Sequence, residues 1–126
     1  MNKSLEEAAI NRYLANKLEV GAVAKQLKIS TAFIWEPVPW YKYNLKYYLM
    51  GDDVSAGVRV YSGYTRLRQI VDAQPQGPDF LWCADFQESL TEPAYVDIMH
   101  YSAYLNQQLA QYAAELMVER GLISRK

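Results

Sequence analysis

The sequence predicts an α/β layer arrangement, with helices packed on a short parallel sheet. Three observations carry that prediction. Apolar residues recur at helical spacing in three separate stretches. Two short runs, Thr31-Ala32-Phe33-Ile34-Trp35 and Phe80-Leu81-Trp82-Cys83-Ala84, are apolar on both faces instead of alternating. Helical stretches and strand-like runs also take turns along the chain, the order that builds stacked layers. A strand apolar on both faces suits a parallel sheet covered by helices on both sides, because a strand with one wet face alternates.

In chain order, Ser4 followed by Glu7 reads as a capping box that opens the first helix. Leu5, Ala9, Ile10, Leu14 and Leu18 recur at helical spacing, and Val20, Val23 and Leu27 continue the stripe to about Lys28, despite Gly21. The first strand follows and is ended by Pro37 and Pro39. Trp40 to Tyr61 is aromatic, charged and glycine-bearing without a sustained period, and reads as a long loop with at most one helical turn. Ser62 is placed to cap a second helix with Tyr64, Leu67, Ile70 and Val71 on its buried side. Gln74 to Asp79 (QPQGPD) breaks that helix before the second strand, and Asp85 begins a turn region reaching Pro93. A last helix opens near Ser102, buries Leu105, Leu109, Tyr112, Ala113 and Leu116, and stops at Gly121, a good left-handed cap.

No repeat or linker divides residues 1–126, so the chain reads as a single partial domain. Two parallel strands leave outer edges with unpaired backbone groups. Either another part of the sheet lies outside this chain, or a second copy completes it.

Composition narrows the function classes. Thirteen basic against fourteen acidic side chains leave a net charge of -1. That argues against nucleic acid, which calls for a clustered basic excess. No apolar run approaches the ~20 residues of a membrane span. The N-terminus is charged and helical in pattern, not signal-like, which leaves the cytoplasm as the default location. One histidine excludes a multi-histidine metal site, and one cysteine excludes a zinc ribbon, so no metal or cofactor is expected. Lone Cys83, among strand-type neighbours, reads as inert packing. Eleven tyrosines and three tryptophans are many for this length, and point to an aromatic interface or pocket.

The chemistry concentrates in Tyr95 to Tyr112 (YVDIMHYSAYLNQQLAQY). His100 stands three residues after Asp97, just ahead of the last helix. A carboxylate that accepts Nδ1–H fixes one imidazole tautomer and leaves Nε2 free as a general base. The plain alternative for a histidine before a helix is capping or a surface hydrogen bond.

NRYLANK (Asn11 to Lys17), FIWEPVPWYKY (Phe33 to Tyr43) and PAYVDIMHYSAYLNQQLA (Pro93 to Ala110) together resemble the C-terminal half of the SGNH, or GDSL-type, serine hydrolases. Asp97-x-x-His100 followed by Asn106 and an apolar helix is the most specific part, and the PVP element supports it. The resemblance implies a flavodoxin-like three-layer αβα sandwich around a parallel sheet, here a partial one with the N-terminal half missing. It implies hydrolysis of a small acyl ester without a metal, with His100 as base and Asp97 as its orienting acid. The family's G-D-S nucleophile block and its oxyanion blocks have no counterpart, so the chain is expected to begin after them.

Gly51 to Gly57 (GDDVSAG) resembles a GDSL block, but Asp53 stands where the serine belongs and no buried strand precedes it. A glycine-bounded loop is the plainer reading, with Ser55 as the alternative nucleophile. Glu36 ends the first strand, where α/β ligand sites collect, and could line a pocket or be solvated; Asp85, at the end of the second, could do either. Trp40, Tyr41, Tyr43, Tyr47 and Tyr48 could wall an acyl or sugar ligand, or form a subunit interface. Two functions follow. The chain is the base-bearing portion of an ester hydrolase without its own nucleophile. The alternative is an inactive assembly module that oligomerises through its open sheet edge and aromatic loop.

Overall fold

The computed structural model describes residues 3–51 and 54–124, and the side chains of all of these except residues 3, 4 and 54–56. Along them helices and strands alternate: α1 (Lys3–Gln26), β1 (Phe33–Trp35), α2 (Val54–Ala73), β2 (Phe80–Trp82) and α3 (Ala103–Glu119). The strands pair in parallel, with Phe33 opposite Phe80, Ile34 opposite Leu81 and Trp35 opposite Trp82. The Phe33 N–H donates to the Asp79 carbonyl at 2.7 Å, and the Cys83 N–H donates to the Trp35 carbonyl at 3.0 Å. The molecule is thus α/β, with a short two-stranded parallel sheet.

Period-two alternation sorts the strand side chains into two cores. Phe33, Trp35, Phe80 and Trp82 pack with Ile10, Tyr13 and Leu14 of α1 and Tyr64, Leu67, Ile70 and Val71 of α2. Leu81 and Cys83 pack on the other side with Leu109, Ala113 and Leu116 of α3. A third cluster of Tyr43, Leu90, Ala94, Tyr95 and Leu105 joins the loops that follow the two strands to the start of α3.

β2 is buried at every residue, as expected of a strand apolar on both faces. β1 is not: Ile34 is 39% exposed. On α1, Ile10, Lys17 and Ala24 are buried, whereas Leu5, Leu18, Val20 and Val23 are exposed, as is Leu27 just beyond its end. Hydrophobic spacing misassigns this face because a lysine takes an apolar seat. The Lys17 Nζ lies 4.8 Å from the centre of the Phe33 ring and donates to the Gln76 carbonyl at 2.7 Å. Its ammonium also pairs with Asp79 at 3.5 Å, so the stem is buried while the charge is satisfied at the rim.

Two element boundaries differ from expectation. α1 already includes Lys3 and Ser4, so Ser4 stands inside the helix; its side chain lies outside the described residues. Glu7, its expected capping partner, pairs with Arg66 of α2 at 3.5 Å. α2 begins at Val54, which shortens the expected loop, and Ser62 lies within the helix instead of capping it. Valine and glycine give Val54 to Tyr61 little intrinsic helical signal. Tertiary packing supplies it: a Cβ on Gly57 would stand 2.5 Å from Trp40 Cδ1, so the indole rests directly on the helix backbone. The Ser62 hydroxyl turns to the Glu6 carboxylate at 3.0–3.1 Å and ties α2 to α1.

The last helix meets expectation at both ends. Ser102 Oγ accepts from the Leu105 N–H at 3.1 Å, and Gly121, at φ 70, closes the C-terminus. There Leu122 N–H donates to the Met117 carbonyl and Gly121 N–H to that of Val118, a Schellman motif. No helix among the described residues is long and apolar enough to cross a membrane.

Candidate functional site

Asp97 and His100 sit on a small closed loop. Tyr95 and Tyr101 form an isolated antiparallel bridge, and the Val96 N–H donates to the His100 carbonyl at 2.9 Å. Inside the loop the Asp97 carboxylate is divided between two tasks. Oδ1 accepts the backbone N–H groups of Met99 at 2.9 Å and His100 at 2.7 Å, an Asx-type turn. Oδ2 lies 2.6 Å from His100 Nδ1. The backbone therefore fixes the carboxylate plane, and the carboxylate orients the ring. In the neutral imidazole Nδ1–H donates to Oδ2, which leaves Nε2 with a lone pair. The His100 backbone N–H, then that of Met99, then the imidazole hold the Asp97 carboxyl down at about 2. Both side chains are open to solvent, with His100 73% exposed.

Tyrosines tie this loop to the end of β1. The Tyr101 hydroxyl donates to the Pro37 carbonyl at 2.6 Å, and Tyr95 donates to Gln87 Oε1 at 2.5 Å. Gln87 is fully buried, and its Nε2 donates to the carbonyls of Val38 (2.8 Å) and Tyr41 (2.5 Å). One amide thus joins the Pro37–Tyr41 turn to the His100 loop. Tyr43 adds a second tie, accepting from the Ala94 N–H and donating to the Glu92 carbonyl, each at 3.0 Å. Nothing in the sequence marks Gln87. A glutamine in a turn region carries no local sign of burial, and only the surrounding tyrosines give a hint.

His100 lines an open groove of about 540 Å³ together with Glu36, Pro37, Val38, Tyr64, Met99, Tyr101 and Asn106. The groove lies where β1 ends, the side of an α/β sheet that collects ligands. Glu36 therefore shares a groove with His100, whereas Trp40 and Tyr43 do not: they line a separate apolar cavity of about 340 Å³ with Leu45, Gly57 and Tyr61. The aromatic wall is also broken up. Tyr41 is buried against the sheet and Tyr43 in the third cluster, and only part of the set faces that cavity.

No serine, threonine or cysteine lines the His100 groove among the described residues. Its two phenols are committed: Tyr64 donates to the Glu36 carbonyl at 2.9 Å, and Tyr101 to Pro37 as above. Burial, with the Glu36 charge second, pushes both phenols well above the ordinary tyrosine range. Ser55 falls in the first turn of α2, where its side chain lies outside the described residues, as does Asp53 altogether. Cys83 is buried, and desolvation lifts its thiol to about 11, an inert packing residue.

Asp85 serves the scaffold, accepting from Trp82 Nε1 at 2.9 Å and pairing with Lys42 at 3.2 Å. Burial pushes its carboxyl up, but the Trp82 bond, Lys42 and Arg68 together outweigh that and leave it lowered. Among the described residues, no three His, Cys, Asp or Glu side chains gather as metal ligands would.

No protein family model, curated protein or solved structure matches this chain. In its neutral form an exposed imidazole held at Nδ1 by a carboxylate takes a proton at Nε2 from a hydroxyl within hydrogen-bond reach and later returns it to a leaving group. The groove beside it supplies carbonyl-bonded tyrosines and apolar wall, but among the described residues no hydroxyl free to attack.

Proposed function

We propose that this chain is the base-bearing portion of an ester hydrolase of the SGNH type, with Asp97 orienting and His100 acting as general base. The attacking hydroxyl comes from another polypeptide segment, and the groove along Glu36 and Asn106 receives a small acyl ester. What supports the reading is the divided carboxylate of Asp97, which is fixed by two backbone donors before it meets Nδ1. A histidine used merely as a surface partner needs no acid held in register by its own loop. In the reaction Nε2 takes the proton of the attacking hydroxyl, the carboxylate stabilises the imidazolium through Nδ1–H, and the proton passes to the leaving alcohol.

Without its nucleophile such a site loses ~10⁶-fold in turnover, so the isolated chain is essentially inactive. The test combines p-nitrophenyl acetate turnover with labelling by a fluorophosphonate probe, on wild type and His100→Ala. The expected result is no adduct and no rate difference between the two proteins. A fluorophosphonate adduct on Ser55, or turnover that His100→Ala abolishes, would overturn the claim that the hydroxyl comes from elsewhere.

A further inference from the structure

The two edges of the sheet are not alike. In the parallel register, Phe33 and Trp35 spend their backbone groups on β2, so the N–H and C=O of Ile34 point outward, away from it. Neither has a hydrogen-bond partner among the described residues. The flanking Ala32 and Glu36 are exposed as well, and Ile34 presents an aliphatic side chain that is 39% exposed. On the far edge, β2 is buried throughout, and its outward Phe80 carbonyl accepts from the Arg120 guanidinium. The β2 edge is capped; the β1 edge is not.

Exposed edges in proteins that stay monomeric are blunted by shortness, a charge, a proline or a bulge. β1 is short, at three residues, but residues 32–35 (Ala-Phe-Ile-Trp) carry no charge or proline, and the register with β2 has no bulge. We propose that the β1 edge pairs with the same edge of a second copy of this chain, antiparallel, on a twofold axis through Ile34. The resulting four-stranded sheet runs β2, β1, partner β1, partner β2. This inference is independent of any role for Asp97 and His100.

Self-pairing fits the edge better than a longer foreign strand does. Ile34 offers one donor and one acceptor, and a twofold through it satisfies both reciprocally. The two isoleucine side chains become cross-strand neighbours. Each Glu36 N–H then reaches the opposite Ala32 carbonyl, which sets the edge's only charge against a small residue and not against its own mate. Beyond that point Pro37 has no N–H to offer, so a longer partner strand finds little more to bond.

Sedimentation velocity over a concentration series on the full chain tests this. Ile34→Pro removes the outward N–H and the isoleucine contact but none of the bonds to β2, which come from Phe33 and Trp35. Ala32→Lys adds an edge charge without touching the ladder. Wild type is expected to dimerise, and each variant to weaken the dimer at least about tenfold with an unchanged circular dichroism spectrum. Ile34→Cys is expected to crosslink under mild oxidation, since directly opposed residues of such a pair bring their Cα atoms within disulfide range. A monomeric wild type, a dimer indifferent to both edge variants, or an Ile34→Cys protein that stays uncrosslinked overturns the proposal.

Discussion

Asp97 and His100 were legible in the sequence because their partnership is local. A three-residue separation places a carboxylate beside the backbone N–H groups of its own turn, and the imidazole follows. The pH behaviour of Asp97 follows from the same bonds. Its carboxyl is lowered to about 2, so its contribution to loop order is complete above the ordinary carboxylate value near ~3.9 and is lost as pH falls through about 2. NMR titration of the Asp97 carboxyl carbon is expected to give a midpoint well below that of an unstructured aspartate. A midpoint near the ordinary value would mean the loop bonds do not persist in solution. Gln87 was illegible for the opposite reason: its partners Val38, Tyr41 and Tyr95 are remote in sequence or hidden in irregular backbone. Gln87→Leu strands a buried and a part-buried carbonyl and a phenol, and is expected to cost about 2–4 kcal/mol in urea unfolding. A cost under ~1 kcal/mol would show that water readily replaces the amide.

Among the elements, β2 and α3 could be read from sequence because local signals and burial agree. Ser102 caps, Gly121 stops, and the apolar stripe between them faces the sheet. The start of α2 is not legible because its first turns depend on Trp40 lying against Gly57, a contact no short window contains. The end of α1 shows a similar conflict. Lys28 adopts φ 56, the left-handed position of a C-terminal cap, while Ile29 N–H bonds to the Ala24 carbonyl at 2.8 Å. A side chain there is strained, and glycine is not. Lys28→Gly is therefore expected to stabilise the protein by ~0.5–1 kcal/mol, visible as a raised urea midpoint at constant slope. A lowered midpoint would mean the lysine makes a contact that outweighs its backbone strain.

Across the whole molecule, two cores share one thin sheet, and stability depends on both being filled. Leu67 is fully buried on the α1–α2 side, and Leu109 is buried on the α3 side. Each leucine-to-alanine variant is expected to cost ~2–4 kcal/mol, in a single transition seen alike by circular dichroism and tryptophan fluorescence. Separate transitions would show that the α3 layer unfolds on its own. The function proposed for this scaffold rests on one geometric claim, that a carboxylate fixed by its loop selects the tautomer of His100. The ¹⁵N chemical shifts of the imidazole at high pH read that directly. In the wild type the proton is expected on Nδ1, and in Asp97→Ala the ring reverts to the commoner Nε2–H form. An Nε2–H tautomer in the wild type, or one indifferent to Asp97→Ala, would contradict the claim.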